Sequence, residues 1–141
     1  MKPIGYWLNR TDQALTRQMD AMLAEYGLTR LTWQVLNVVR SAPAATDTEV
    51  RAALAANADA TALTGALEAV VADGWARRPA PGLLALTPDG DARLGAVTER
   101  VAIFRETVIA GISLEEYGTA VRVLERMTHN LEATSGTAAI G

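Results

Sequence analysis

Three observations predict a mainly α-helical protein with a winged helix-turn-helix lobe set between long terminal helices. From Asp59 to Gly90 the chain reads as a short helix, a glycine, an apolar strand, a Pro/Gly turn, a second apolar strand and a Thr-Pro helix start. Before and after that segment, apolar residues recur every three or four positions over long stretches, the spacing that lays them along one face of a helix. Finally, 141 residues, half of them apolar, suffice for one globular domain with its own core.

The elements follow in order. Leu8, Leu15, Met19, Met22, Leu23 and Tyr26 mark the face of a first helix from about Tyr6 to Tyr26, ended by Gly27. Thr29 is placed to cap a second helix, about Arg30 to Ser41, whose inward residues are Trp33, Leu36 and Val39. Pro43 stops it, since proline disfavours helical geometry in the residue before it. Thr46-Asp47-Thr48-Glu49 fits a capping box for a third helix, with Val50 and Leu54 facing in. Asp59 caps a fourth helix in which Leu63, Leu67 and Val70 face in, leaving Thr61, Thr64, Gly65 and Glu68 outside. Pro79-Ala80-Pro81-Gly82 is a hairpin turn between two short strands. Thr87-Pro88 then opens a helix striped by Leu94, Val97, Val101, Phe104 and Val108. A last helix after Gly111 carries Leu114, Tyr117, Val121, Leu124 and Leu131, and the small, polar residues from Ala133 to Gly141 are expected to fray. The terminal stripes need a partner, and a two-fold dimer would supply one while spacing two reading heads along a duplex.

Composition excludes several classes. There is no cysteine, which removes disulfides, thiolate metal sites and cysteine nucleophiles. No apolar run approaches membrane-spanning length and no secretory pattern opens the chain, so a cytoplasmic protein without membrane association is the default expectation. The net charge of −3 gives no whole-protein electrostatic case for nucleic acid. Residues 1–45 hold five basic against three acidic side chains, residues 46–90 three against six, and residues 91–141 five against seven. The segment expected to face DNA thus carries the largest net negative charge, 3 − 6 = −3, and its fourth helix has no Lys or Arg. If that lobe binds DNA, Thr61 and Thr64 are the candidates for base edges, and Arg51, Arg77 and Arg78 for phosphates. On the plainer reading they are solvated surface residues.

Gly27-Leu28-Thr29 with Trp33 and Val35-Leu36, the Gly74-Trp75-x-Arg77-Arg78 run, and Leu86-Thr87-Pro88-Asp89-Gly90 together resemble the MarR family of winged-helix regulators over essentially the whole chain. Ile4-Gly5-Tyr6-Trp7-Leu8 is similar to an actinobacterial-type subset of it. The resemblance implies one MarR-like domain over residues 1–141, with dimerisation helices in 1–29 and 91–133 and a winged lobe in 30–90. It also implies a homodimer, palindromic double-stranded DNA bound by the fourth helix and wing, and a small aromatic or anionic ligand in a cleft. Tyr6, Trp7, Arg10, Trp33 and Asn37 fall on the elements that would line that cleft, where aromatic walls with a guanidinium and an amide suit a planar anion. The chain departs from the family at Gly65, where a basic residue is usual, and at its short wing tip.

No Ser/His/Asp order, phosphate-cradling glycine loop or metal-ligand cluster is present, so no catalytic residue, metal or cofactor is assigned. Glu115-Glu116 and Asp89-Gly90-Asp91 are explained by dipole compensation at helix starts. The primary expectation is a ligand-responsive transcriptional regulator binding a pseudo-palindromic operator. The alternative is a small-molecule binding protein or biosynthetic enzyme on the same fold that has lost specific DNA recognition.

Overall fold

The computed structural model describes the backbone of residues 1–140 and the side chains of residues 1–135. Its elements are α1 (Ile4–Ala24), α2 (Arg30–Arg40), β1 (Ala45–Thr46), α3 (Asp47–Leu54), α4 (Ala60–Ala72), β2 (Ala76–Arg77), β3 (Leu83–Leu86), α5 (Pro88–Val108) and α6 (Leu114–Ile140). This is the mainly helical winged helix-turn-helix that the periodicity predicts. Contacts divide the chain into two compact units, Met1–Val101 and Ala102–Gly141.

In the first unit the helix starts are set by local side-chain caps. The Thr32 amide donates to Thr29 Oγ1 at 3.1 Å, the Glu49 amide to Thr46 Oγ1 at 3.0 Å and the Ala62 amide to Asp59 Oδ1 at 2.8 Å. Each satisfies one of the amides that a helix start leaves orphaned. At α3 the box is modified. Thr46 lies in a strand, and its hydroxyl donates to Glu49 Oε1 at 3.1 Å in place of the expected bond to its amide.

That strand is a correction to the sequence reading, which placed no strand before α3. Ala45–Thr46 pairs antiparallel with Leu83–Leu84, and Ala76–Arg77 pairs antiparallel with Ala85–Leu86, giving a three-stranded sheet in the order β1-β3-β2. The core beneath it is Leu23, Val35, Leu36, Val39, Val50, Leu63, Leu67, Val70, Trp75, Leu84, Leu94 and Val97, each no more than 3% exposed. All the inward residues expected for α3 and α4 are buried. Trp33 is a second correction: it is only half-buried on α2, where Val35 takes the inward place beside Leu36. No helix among the described residues is long and apolar enough to cross a membrane.

In the second unit, α6 spans Leu114–Ile140; the side chains of residues 136–140 and Gly141, on which most of the expected fraying falls, lie outside the described residues. Leu114, Tyr117, Val121, Leu124 and Leu131 are all exposed along it. Its start is a reciprocal cap, in which the Glu116 amide donates to Ser113 Oγ and the Ser113 amide to Glu116 Oε1, both at 3.0 Å. The bond from the Ser113 amide, then that from its side chain, holds the Glu116 carboxyl below the usual glutamate range. A folded-state pKa depressed in this way gives a contribution present above the unfolded pKa and lost as pH falls through the folded one. An NMR titration of the Ser113 amide should therefore show its transition in that acid window. A midpoint at or above the ordinary glutamate value would contradict the cap.

Candidate nucleic-acid interface

α4 follows α3 through a short turn and runs, by way of Gly74 at φ 80°, into the wing strands β2 and β3. Glycine is required at that turn because a side chain is strained at such a φ. With Leu63, Ala66, Leu67 and Val70 buried, the residues α4 presents outward are Thr61, Thr64, Gly65, Glu68 and Ala72, all exposed.

The wing is short and tied down. Asp47 at the start of α3 donates its amide to the Gly82 carbonyl at 3.0 Å and accepts from Arg78 Nη1 at 2.9 Å. The same nitrogen of Arg78 lies 3.4 Å from the Leu83 carbonyl. Arg78 is thus committed to anchoring the hairpin against the first turn of α3, an ion pair whose partners are about one-third exposed. Such pairs contribute little stability, roughly 0.2–1 kcal/mol; the value of this one is that it fixes the wing.

Arg51 is likewise engaged. Its Nη2 donates to Thr64 Oγ1 at 2.9 Å and its Nη1 reaches the Ala60 carbonyl at 3.4 Å, while Thr64 itself donates to Ala60 O at 2.9 Å. The structure therefore brings Arg51 and Thr64 together, leaving Thr61 one turn earlier without a side-chain bond among the described residues. Arg77 is exposed on β2, and its side chain has no hydrogen-bond or ion-pair partner among the described residues. Arg40 is held by Thr98 Oγ1 at 3.2 Å and by Asp91 at 3.8 Å. Of the three arginines predicted to meet phosphates, one is uncommitted.

The base of the wing is locked to α5. Thr87 Oγ1 donates to the Gly74 carbonyl at 2.8 Å and accepts from the Gly90 amide at 2.8 Å, while the Thr87 amide donates to the Trp75 carbonyl at 3.1 Å. Trp75 is buried, and the Arg93 guanidinium stacks 3.9 Å from its ring centre. The sequence reading used Trp75 and Gly90 as signature residues and missed this closure. Its signal was present in Thr-Pro-x-Gly, where the glycine removes the side chain that would meet the strand.

The residues predicted to line a ligand cleft are only partly assembled. Arg10 Nη1 donates to Tyr6 Oη at 2.8 Å, and the Tyr6 and Trp7 rings meet edge-on with centres 5.0 Å apart. A groove of about 430 Å³ is lined by Tyr6, Asn9, Arg10, Gln13, Ala14 and Arg17, all from α1. Trp7, Trp33 and Asn37 do not line it. Asn37 is exposed on α2, and the Trp33 indole Nε1 is buried without a hydrogen-bond partner among the described residues. No group of three or more His, Cys, Asp or Glu among the described residues could hold a metal ion. His129 is exposed late in α6.

No protein-family model matches the chain, and no curated protein matches it. Solved structures do. The reduced form of MarR from E. coli superposes with a TM-score of 0.69 at 25% identity, covering 90% of this chain and 94% of that one. Its oxidised form gives 0.67 at 26%, covering 91% and 96%. The chain has the fold of the MarR winged-helix regulators. A Mycobacterium tuberculosis MarR family protein in complex with DNA also matches, with a TM-score of 0.69 at 24% identity over 90% of this chain and 98% of that one.

Proposed function

We propose that this MarR-type chain is a ligand-responsive transcriptional regulator that binds a pseudo-palindromic operator as a homodimer. The observation that carries the reading is the intact reading head: a capped α4 with its outer face exposed, continuing into an anchored wing whose Arg77 is uncommitted. The solved relatives complexed with DNA support it, one of them an E. coli MarR mutant bound to operator DNA. Arg77 supplies a phosphate contact, Arg51 a second through its remaining donors, and Thr61 and Thr64 face the base edges.

The bare apolar faces support the dimer. Ile4, Trp7, Leu8 and Leu15 on α1 are 37–51% exposed, and Leu114 and Leu131 on α6 reach 86% and 68%. Each large apolar side chain buried contributes roughly 1.5–3 kcal/mol, and a two-fold axis sets like patches against each other. Ligand control is supported by the Trp33 indole, whose buried N–H leaves an acceptor to be supplied from outside the described chain. A ligand that binds one spacing of the two heads better shifts operator affinity by that difference.

Light scattering should give twice the 15.0 kDa chain mass. Selection from random duplexes by the purified protein should enrich a palindrome. A monomer that enriches nothing would instead favour a small-molecule binding protein or enzyme on this fold.

A further inference from the structure

We propose that Glu68 is a specificity determinant of the reading head, selecting cytosine at one position of each operator half-site. This rests on the DNA-binding reading above and names what that head would read.

Glu68 sits in the middle of the outward row of α4. At 100° per residue, Thr61, Gly65, Glu68 and Ala72 form a single line opposite buried Leu63, Ala66, Leu67 and Val70, and all four are exposed. Of the acids at the helix ends, Asp59 caps the start through its carboxylate, which accepts from the Ala62 amide, and Asp73 closes the end through its backbone amide. The Glu68 side chain has no hydrogen bond or ion pair among the described residues, and it lies more than a turn from either end, beyond the reach of dipole compensation.

Gly65, one turn earlier, is the second observation. A Cβ built there meets nothing within 4 Å, and its φ is an ordinary helical one. Glycine inside a helix is destabilising, and nothing in the chain's own packing requires it here. Bare backbone on the outer row lets the helix approach base edges closely, bringing the next residue on the row, Glu68, within bonding distance of the groove floor.

A carboxylate offers acceptors only. In the major groove guanine presents two acceptors, and thymine an acceptor and a methyl group. Adenine presents a donor beside an acceptor, and cytosine its N4 donor. Glutamate therefore matches cytosine N4 and meets repulsion at guanine and thymine. Close to phosphates an unpaired carboxylate is unfavourable, so Glu68 acts mainly by rejecting half-sites without that donor. One such contact corresponds to roughly ten- to hundredfold discrimination at its position.

The test is a parallel selection from random duplexes with the wild type, Glu68→Gln and Glu68→Ala. Glu68 is exposed, so both variants should fold. The wild type should enrich a half-site with cytosine at one position. Glu68→Gln should turn that position to adenine, whose N6 and N7 match an amide, and Glu68→Ala should leave it without preference while the other positions stay unchanged. The same motif from all three proteins would overturn the role of Glu68 and leave the DNA reading standing. No motif from any of them would overturn both.

Discussion

Replacing Gly90 by alanine is expected to destabilise the fold by about 3 kcal/mol, the upper end of the usual overpacking range. A Cβ at this position would stand 1.9 Å from the Trp75 carbonyl oxygen and 2.7 Å from its carbon. Those atoms belong to backbone, and they cannot yield easily. The Thr87 amide and hydroxyl hold the Gly74–Trp75 carbonyls, and the Trp75 ring is buried under the Arg93 guanidinium. For a chain of this size the melting temperature should fall on the order of 10 °C, measured at fixed protein concentration because dimerisation would add its own term. Gly65→Ala is the control. Its Cβ enters open space in a helix interior, so it should gain roughly 0.5–1 kcal/mol. A Gly90→Ala protein that melts with the wild type would show that α5 and the wing base are not closed as described.

What was legible in the sequence was what depends on neighbours along the chain. Thr29, Thr46, Asp59 and Thr87 each accept the amide that their position predicts, because a cap needs only the next three residues. The inward and outward faces of α4 follow from its 3.6-residue period alone. Strand β1 was not legible, since two residues carry no alternation and Ala45–Thr46 becomes a strand only by meeting Leu83–Leu84. The arginines failed in the same way. Arg78 and Asp47 are 31 residues apart, and Arg51 and Thr64 are 13 apart. Whether a guanidinium is committed inside the fold is settled by such long-range neighbours. The sequence therefore named three equal phosphate partners, and the fold leaves them unequal.

That inequality shapes the second large prediction. The phosphate backbone supplies most of a DNA-binding protein's affinity, and each neutralised phosphate adds about 0.9 to the slope of log affinity against log salt. With Arg51 and Arg77 as the partners in each subunit, the slope should be about −4 per dimer. Arg77→Ala should weaken binding to all duplexes alike and flatten the slope by about 2, because one contact is lost from each subunit. Arg78→Ala should act less, since its guanidinium already serves Asp47 and its removal loosens the wing without deleting a free cation. The fourth helix offers no cation to compensate.

The most direct measurement of the central claim is therefore the affinity of the wild type and Arg77→Ala proteins for one selected duplex, followed by fluorescence anisotropy across a salt series. The head described here predicts specific binding by the wild type with a slope near −4, and a slope near −2 with weaker binding for Arg77→Ala. Absence of binding at low salt, or an Arg77→Ala slope equal to that of the wild type, would contradict it.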